Sequence, residues 1–217
     1  MSDPHAASTL THLPRPALPA QLTVETLAHA EALVWRTLER ACKDRHHGMH
    51  TPGLVTIGAS GFPNPRTVVL RRVDAQQRTI MCHTDVRSEK IPEIAKHAQV
   101  AWLFYDPQTR IQFRISATAR VERDTPLADE QWRRSSVSSR RCYLADVAPG
   151  TITQTMHSNV PEHLRERNPS MEESEAGRRN FAVVVTTALH ADVLELAAEG
   201  HRRVVSSFGG TPQWAAV

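Results

Sequence analysis

Beyond Gly48 the apolar residues fall into about eight short clusters rich in β-branched side chains: LVTIGAS, RTVVLRRV, RTIMCHT, VAWLFYD, RIQFRISATARVE, FAVVVTTAL, ADVLELAA and HRRVVSSF. Turn-forming residues separate them, so each reads as a strand. Alternation such as Ile111, Phe113 and Ile115 against Gln112, Arg114 and Ser116 predicts strands with one buried and one polar face. Ahead of them, from Thr23 to about Lys43, Leu27, Ala30, Leu33, Val34, Leu38 and Ala41 recur at helical spacing, which predicts an amphipathic helix with Thr23 and Thr26 in its cap region. Only two further helical patterns, Ser88 to His97 and Pro126 to about Ser136, interrupt the strands. That is too few for a regular βαβ sheet, and the pattern predicts a mainly β (α+β) fold, an antiparallel barrel closed by short helices.

Two stretches lie outside this pattern. Residues 1 to about 21 hold four prolines and no sustained apolar period, which predicts a flexible or extended arm ahead of one domain over 22–217. From Pro149 to about Asn180 the chain is polar, contains Pro161, Pro169 and the acidic cluster MEESE, and reads as a surface excursion with one short helix near Pro161 to Arg167.

Composition narrows the function classes. A chain of 217 residues with 40% apolar content can bury one substantial core. A formal charge of +3, with acids interspersed among the bases, argues against nucleic-acid binding. No apolar run approaches the ~20 residues a membrane helix requires, and the N-terminus lacks secretory-signal order, so a cytoplasmic location is expected. Cys42, Cys82 and Cys142 are far apart with no CxxC pair, which favours reduced, mostly buried thiols. Of the 12 histidines, His46, His47 and His50 lie close together but lack a defined coordination spacing, so packing or solvation is favoured over a metal or haem site.

The densest chemical signal is RTVVLRR at Arg66 to Arg72, followed by CHTDVRSEK at Cys82 to Lys90. In the first, Arg66 and Arg71 bracket one short strand and point to opposite faces if that strand is unbroken. In the second, a strand runs through Thr84 into a turn, Ser88 caps a helix, and Glu89 and Lys90 stand in its first turn. A helix start with a hydroxyl and an ammonium is suited to an anion. Taken singly, Ser88 is also just a cap and Arg66 just an edge charge.

In order and spacing, RxVxLR, a strand, T-x-x-x-S-x-K, then LFYDP and a strand with IQF resemble the flavin-binding core of the pyridoxamine 5′-phosphate oxidase-like family over about Thr51 to Arg123. More weakly, DVLELAAEGHRRV is similar to that family's closing β-hairpin, and SSRRCYLADVAPG to a connecting segment of one of its branches. The resemblance implies an FMN-binding split β-barrel, a homodimer, and hydride transfer between a small-molecule substrate and flavin N5. It further implies that Arg66, Thr67, Val68, Val69, Leu70 and Arg71 line the ribityl and ring portion, largely through backbone groups. By the same resemblance His83 and Thr84 sit against the ring, Ser88 and Lys90 hold the phosphate, and Gln112 and Arg203 reach the flavin. His201, two residues before Arg203, falls at a substrate-binding position. No residue is named for proton transfer.

The sequence departs from that family at several positions. Glu89 replaces a phosphate-binding arginine, with Arg87 nearby as a substitute; Val193 stands where a tryptophan would cover the flavin; Glu199 replaces a substrate-phosphate arginine; and Ala148 and Pro149 replace a glutamine and a serine. These changes point to a substrate other than a vitamin phosphate. The leading expectation is an FMN-dependent oxidoreductase of unassigned substrate. The alternatives are a non-catalytic flavin- or haem-binding carrier or sensor on the same barrel, and an interaction domain whose pocket has decayed.

Overall fold

A computed structural model describes Leu27 and residues 30–217; the arm expected over 1–21 lies outside the described residues. In chain order the elements are α1 (Ala30–Lys43), β1 (Gly53–Ile57), β2 (Pro63–Thr67), β3 (Leu70–Asp74), β4 (Thr79–Asp85), α2 (Lys90–Lys96), β5 (Gln99–Asp106), β6 (Ile111–Glu122), α3 (Pro126–Arg134), α4 (Val137–Arg140), α5 (Met171–Glu175), β7 (Phe181–Glu195), β8 (Arg202–Ser207) and β9 (Gln213–Ala215). Among the described residues nine strands pair antiparallel in the order β2-β1-β5-β6-β7-β4-β3, with β8 joined to β7 and β9 to β8.

The two ends of that order, β2 and β3, are consecutive in the chain and separated only by Val68 and Val69. Two residues span at most about 10 Å between the strand ends they join, so the sheet must curl until its outer strands lie side by side. The expected single strand RTVVLRRV is therefore two strands on opposite sheet edges. Arg66 and Arg71 do not bracket one strand. The sequence pattern missed β2 because Pro63 and Pro65 demote it, yet a proline-bearing strand suits a sheet edge, and β2 pairs with β1 alone.

Inside the curl Leu54, Leu70, Ile80, Trp102, Phe104, Phe113, Ile115, Val184, Val193 and Val204 form the main core. Helix α1 closes it with Val34, Trp35, Leu38 and Ala41, the buried face that its apolar spacing predicts. Trp102 Nε1 donates to Thr186 Oγ1 at 3.0 Å, and that hydroxyl donates to the Ile80 carbonyl at 2.9 Å, so these two buried side chains are satisfied across three strands. Trp102 and Phe104 are core residues, whereas Tyr105 is exposed.

A second apolar cluster, Met81, Ala128, Trp132, Tyr143, Phe181, Val183 and Val185, packs α3 onto the outer side of β4 and β7. Both faces of these two strands are thus covered, which is why TIMCHTD and FAVVV do not alternate. Strand β7 also joins two clusters expected to be separate strands. Its register with β6 shifts at Leu189, where Ser116 and Ala117 pair with His190 and Ala188.

The polar excursion is more ordered than its composition suggests. The helix expected near Pro161 to Arg167 is a 3-10 turn at Glu162–Leu164, and MEESE forms α5 behind a Ser170/Glu173 capping box. Arg140, 2% exposed, donates to the Trp132 carbonyl at 2.8 and 3.1 Å, to Ser174 Oγ at 3.2 Å and to Glu175 Oε1 at 2.6 Å. Its guanidinium also lies 4.5 Å from the centre of the Trp132 ring. This fastens the returning limb of the excursion to α3.

Candidate functional site

Where the sheet edges meet, a cavity of about 690 Å³ opens between the β2–β3 link, the end of β4 and the first limb of the excursion. Its lining brings together Thr67, Val68, Val69, His83, Thr84, Ser88 and Lys90, and adds Cys142, Tyr143, Ala145, Val147 to Thr151, Thr153, His157 and Asn159. Lys90 Nζ donates to Ser88 Oγ at 2.6 Å and to Thr84 Oγ1 at 3.0 Å, so an ammonium and two hydroxyls already converge.

Ser88 does not cap α2. The turn before the helix is closed by Asp85, whose carboxylate accepts from the Arg87 backbone N–H at 2.8 Å and whose carbonyl accepts from Ser88 N at 3.1 Å. The helix consequently starts at Lys90, with Glu89 in the cap position and no side-chain cap bond. Ser88 turns to Lys90 instead. Arg87 is also committed: it donates to Asp85 at 2.7 and 2.9 Å and to the carbonyl of Ala145 at 2.9 Å, pinning the excursion beside the cavity. Glu89 is exposed and stands against Gly150, whose φ of +86° is open to glycine with little strain.

Arg66 is absent from this cavity's lining. It donates to Glu93 Oε2 at 2.9 Å and to Thr56 Oγ1, while Glu93 also accepts from Thr56 at 2.5 Å and Asn64 at 2.8 Å. Burial tends to raise the Glu93 pKa, but these donors outweigh it and hold the carboxyl below its ordinary value. Leu70 is a core residue, 1% exposed. Burial, then the Arg66 guanidinium, lowers the Lys90 pKa.

His83 separates the main cavity from a smaller recess of about 350 Å³, which Arg71, Arg72, Gln131, Arg134, Ser135, Ser136 and Ser139 complete. Burial, reinforced by the Arg71 guanidinium, pushes the His83 pKa down to about 4, so its imidazole is neutral near pH 7. Buried His83 Nε2 and Gln131 Nε2 make no hydrogen bond within the protein. Of its lining, the motifs singled out in the sequence contain Arg71, Arg72, His83 and Ser139, but not Gln131, Arg134, Ser135 or Ser136.

Gln112, His201 and Arg203 are absent from both cavity linings. Gln112 lies on β6 opposite Tyr105 and Leu194, Arg203 on β8 is paired to Asp192 at 2.8 Å, and His201 is exposed in the β7–β8 loop. Val193 points into the core at 2% exposure, and Glu199 is exposed on the same loop. Among the described residues no cluster of three His, Cys, Asp or Glu side chains could hold a metal. His47 and His50 bond to nearby backbone, at Met49 N and Ala41 O, and all three cysteines are free. No helix among the described residues is long and apolar enough to cross a membrane.

The profile of the family described as "Pyridoxamine 5′-phosphate oxidase, FMN-binding domain" matches residues 32–123. A pyridoxine/pyridoxamine 5′-phosphate oxidase 2 of Arabidopsis thaliana is 34% identical over 116 residues, 49% of this chain and 57% of that protein. A pyridoxine/pyridoxamine 5′-phosphate oxidase of Burkholderia cenocepacia is 38% identical over 79 residues, 35% of this chain and 36% of that protein. The matches thus span about half, or less, of the length of these curated relatives. The fold is similar to that of a pyridoxamine 5′-phosphate oxidase-related, FMN-binding protein from Nostoc punctiforme, with a TM-score of 0.63, 20% identity, and 86% of this chain and 95% of that chain covered. It is also similar to PhzG from Burkholderia lata, with a TM-score of 0.59, 16% identity, and coverage of 86% and 90%. Residues 32–123 are thus similar to the FMN-binding domain of pyridoxamine 5′-phosphate oxidases, and the chain as a whole shares the fold of solved proteins related to them.

Proposed function

We propose that this protein binds FMN in the cavity between the β2–β3 link and the excursion and acts as an FMN-dependent oxidoreductase. The observation that carries the reading is the cradle of Lys90, Ser88 and Thr84 at one side of a cavity whose wall is Thr67, Val68 and Val69. FMN fits this donor set: the ammonium and hydroxyls suit a phosphate, the two valines give an apolar wall for a planar ring, and orphaned His83 Nε2 offers a polar group. Bound flavin would supply hydride exchange at N5, and the chain's contribution is to hold reacting atoms in place.

The substrate has an anionic group seated in the recess beyond His83. Arg71, Arg72 and Arg134 supply positive charge there, the serines supply hydroxyls, and the buried Gln131 Nε2 lacks a partner. Neutral His83 forms the wall between cofactor and substrate. Departures at Glu89, Val193 and Glu199 favour a substrate other than pyridoxamine phosphate.

The protein works as a homodimer. Leu103 and Tyr105, 44% and 42% exposed, share rows on one uncovered sheet face with Arg114, Asp192 and Val205 and with Gln112, Leu194 and Arg203 respectively. Gln112 and Arg203, which the family resemblance assigns to the flavin, lie on that face. The test is anaerobic mixing of FMN-loaded protein with a panel of anionic and matched neutral reductants, including NADPH, followed by flavin bleaching. Saturable bleaching by an anionic compound that Arg71→Ala weakens supports the reading; flavin that no compound reduces faster than free FMN leaves a non-catalytic carrier.

A further inference from the structure

We infer that the cavity selects its flavin by ring and ribityl chain and discriminates little between FMN and riboflavin, with Glu89 as a residue that sets this low selectivity. The inference rests on the flavin reading above. Among the described residues, the cavity lining carries one ammonium, Lys90, and one carboxylate, Asp85. The two guanidiniums flanking it in sequence are already engaged. Arg66 is held by Glu93 at 2.9 Å and Arg87 by Asp85 at 2.7 Å, and both carboxylates are buried, at 7% and 8% exposure.

Glu89 is absent from that lining, but its carboxylate stands against Gly150 of the cavity wall and adds a third carboxylate beside the cradle. Arg66 and Arg87 are matched by Glu93 and Asp85, and Arg71 lies beyond His83 in the smaller recess, so among the described residues Lys90 is the one ammonium or guanidinium in the cavity lining. A phosphate dianion entering there meets one partly desolvated ammonium and two hydroxyls, with no guanidinium in the lining. Freeing Arg66 for it would strand the buried Glu93 carboxylate without a charged partner. Riboflavin carries no such charge and needs no such rearrangement.

The experiment is parallel titration of the full-length apo-protein with FMN and riboflavin by fluorescence quenching, repeated for Glu89→Arg and Glu93→Gln. Glu89 is exposed, so its replacement leaves the core untouched, and a thermal melt checks Glu93→Gln. The expected result is an FMN preference within about tenfold in the parent, which Glu89→Arg raises by a further tenfold or so without changing riboflavin affinity. A parent preference above about a hundredfold, or a Glu89→Arg protein with an unchanged ratio, overturns the inference while leaving flavin binding intact. Failure of both flavins to bind removes the flavin reading and this inference with it.

Discussion

Thr67 ends β2 and Leu70 begins β3, yet these residues, separated by two valines, stand on opposite outer strands of the sheet. The link between them forms one wall of the candidate flavin cavity. Substituting Val69 by Pro fixes φ and removes an N–H at the point where the chain crosses from edge to edge. We expect it to weaken flavin binding about tenfold or more while the far-ultraviolet circular dichroism is retained. Unchanged affinity would show that the link does not shape the site.

His83 sets one pH dependence of stability. Its folded pKa of about 4 lies below the 6.5 of an ordinary histidine, so the unfolded chain binds more protons between these values. Stability from this group is therefore full above about pH 6.5 and is lost as pH falls toward 4, by an amount of order 2 kcal/mol. Urea unfolding at pH 7 and pH 5 should show the loss in the parent and a smaller one in His83→Phe. Equal slopes in both would refute the assignment.

Glu93 acts in a lower window. Its carboxyl is held below the ordinary carboxylate range, so its contribution is present above about pH 4.5 and disappears as pH drops through the folded value. Glu93→Gln should destabilise the protein near neutrality by about 2 kcal/mol, because Arg66 loses its buried partner, and should flatten the acid limb of the stability profile.

Arg140 should control the excursion more than the sheet. Arg140→Ala removes four side-chain contacts with Trp132, Ser174 and Glu175. We expect a loss of about 2 to 3 kcal/mol and faster proteolysis between residues 146 and 180. Glu175→Ala in that background should add little, since the pair acts as one unit. Full additivity would argue against the latch.

Leu103→Asp tests the proposed assembly. A charge at the centre of the uncovered face should shift sedimentation toward monomer and weaken FMN binding together. A dimer that survives this change would place the interface elsewhere.

The sequence carried the strand-rich architecture, because alternation in β5 and β6 records one covered and one open face. It did not carry the break at Val68 and Val69, since β-branched residues run through the link as they would through a strand. Strand β7 was read as two because Leu189 and His190 are exposed at its bulge. Helix α5 was legible only in the Ser170/Glu173 spacing and was hidden by the acidic composition around it. For the site, Thr67 to Val69, His83, Thr84, Ser88 and Lys90 meet in one cavity. Arg66 was ambiguous because its partner Glu93 lies 27 residues downstream. Gln112, His201 and Arg203 line neither cavity of the single chain.

The most direct test is titration of apo-protein with FMN, comparing the parent with Lys90→Ala. The account predicts saturable binding at micromolar concentration or tighter, near −8 kcal/mol, and a loss of about tenfold in the variant. No saturable binding, or equal binding in both proteins, would contradict a flavin site built on Lys90, Ser88 and Thr84.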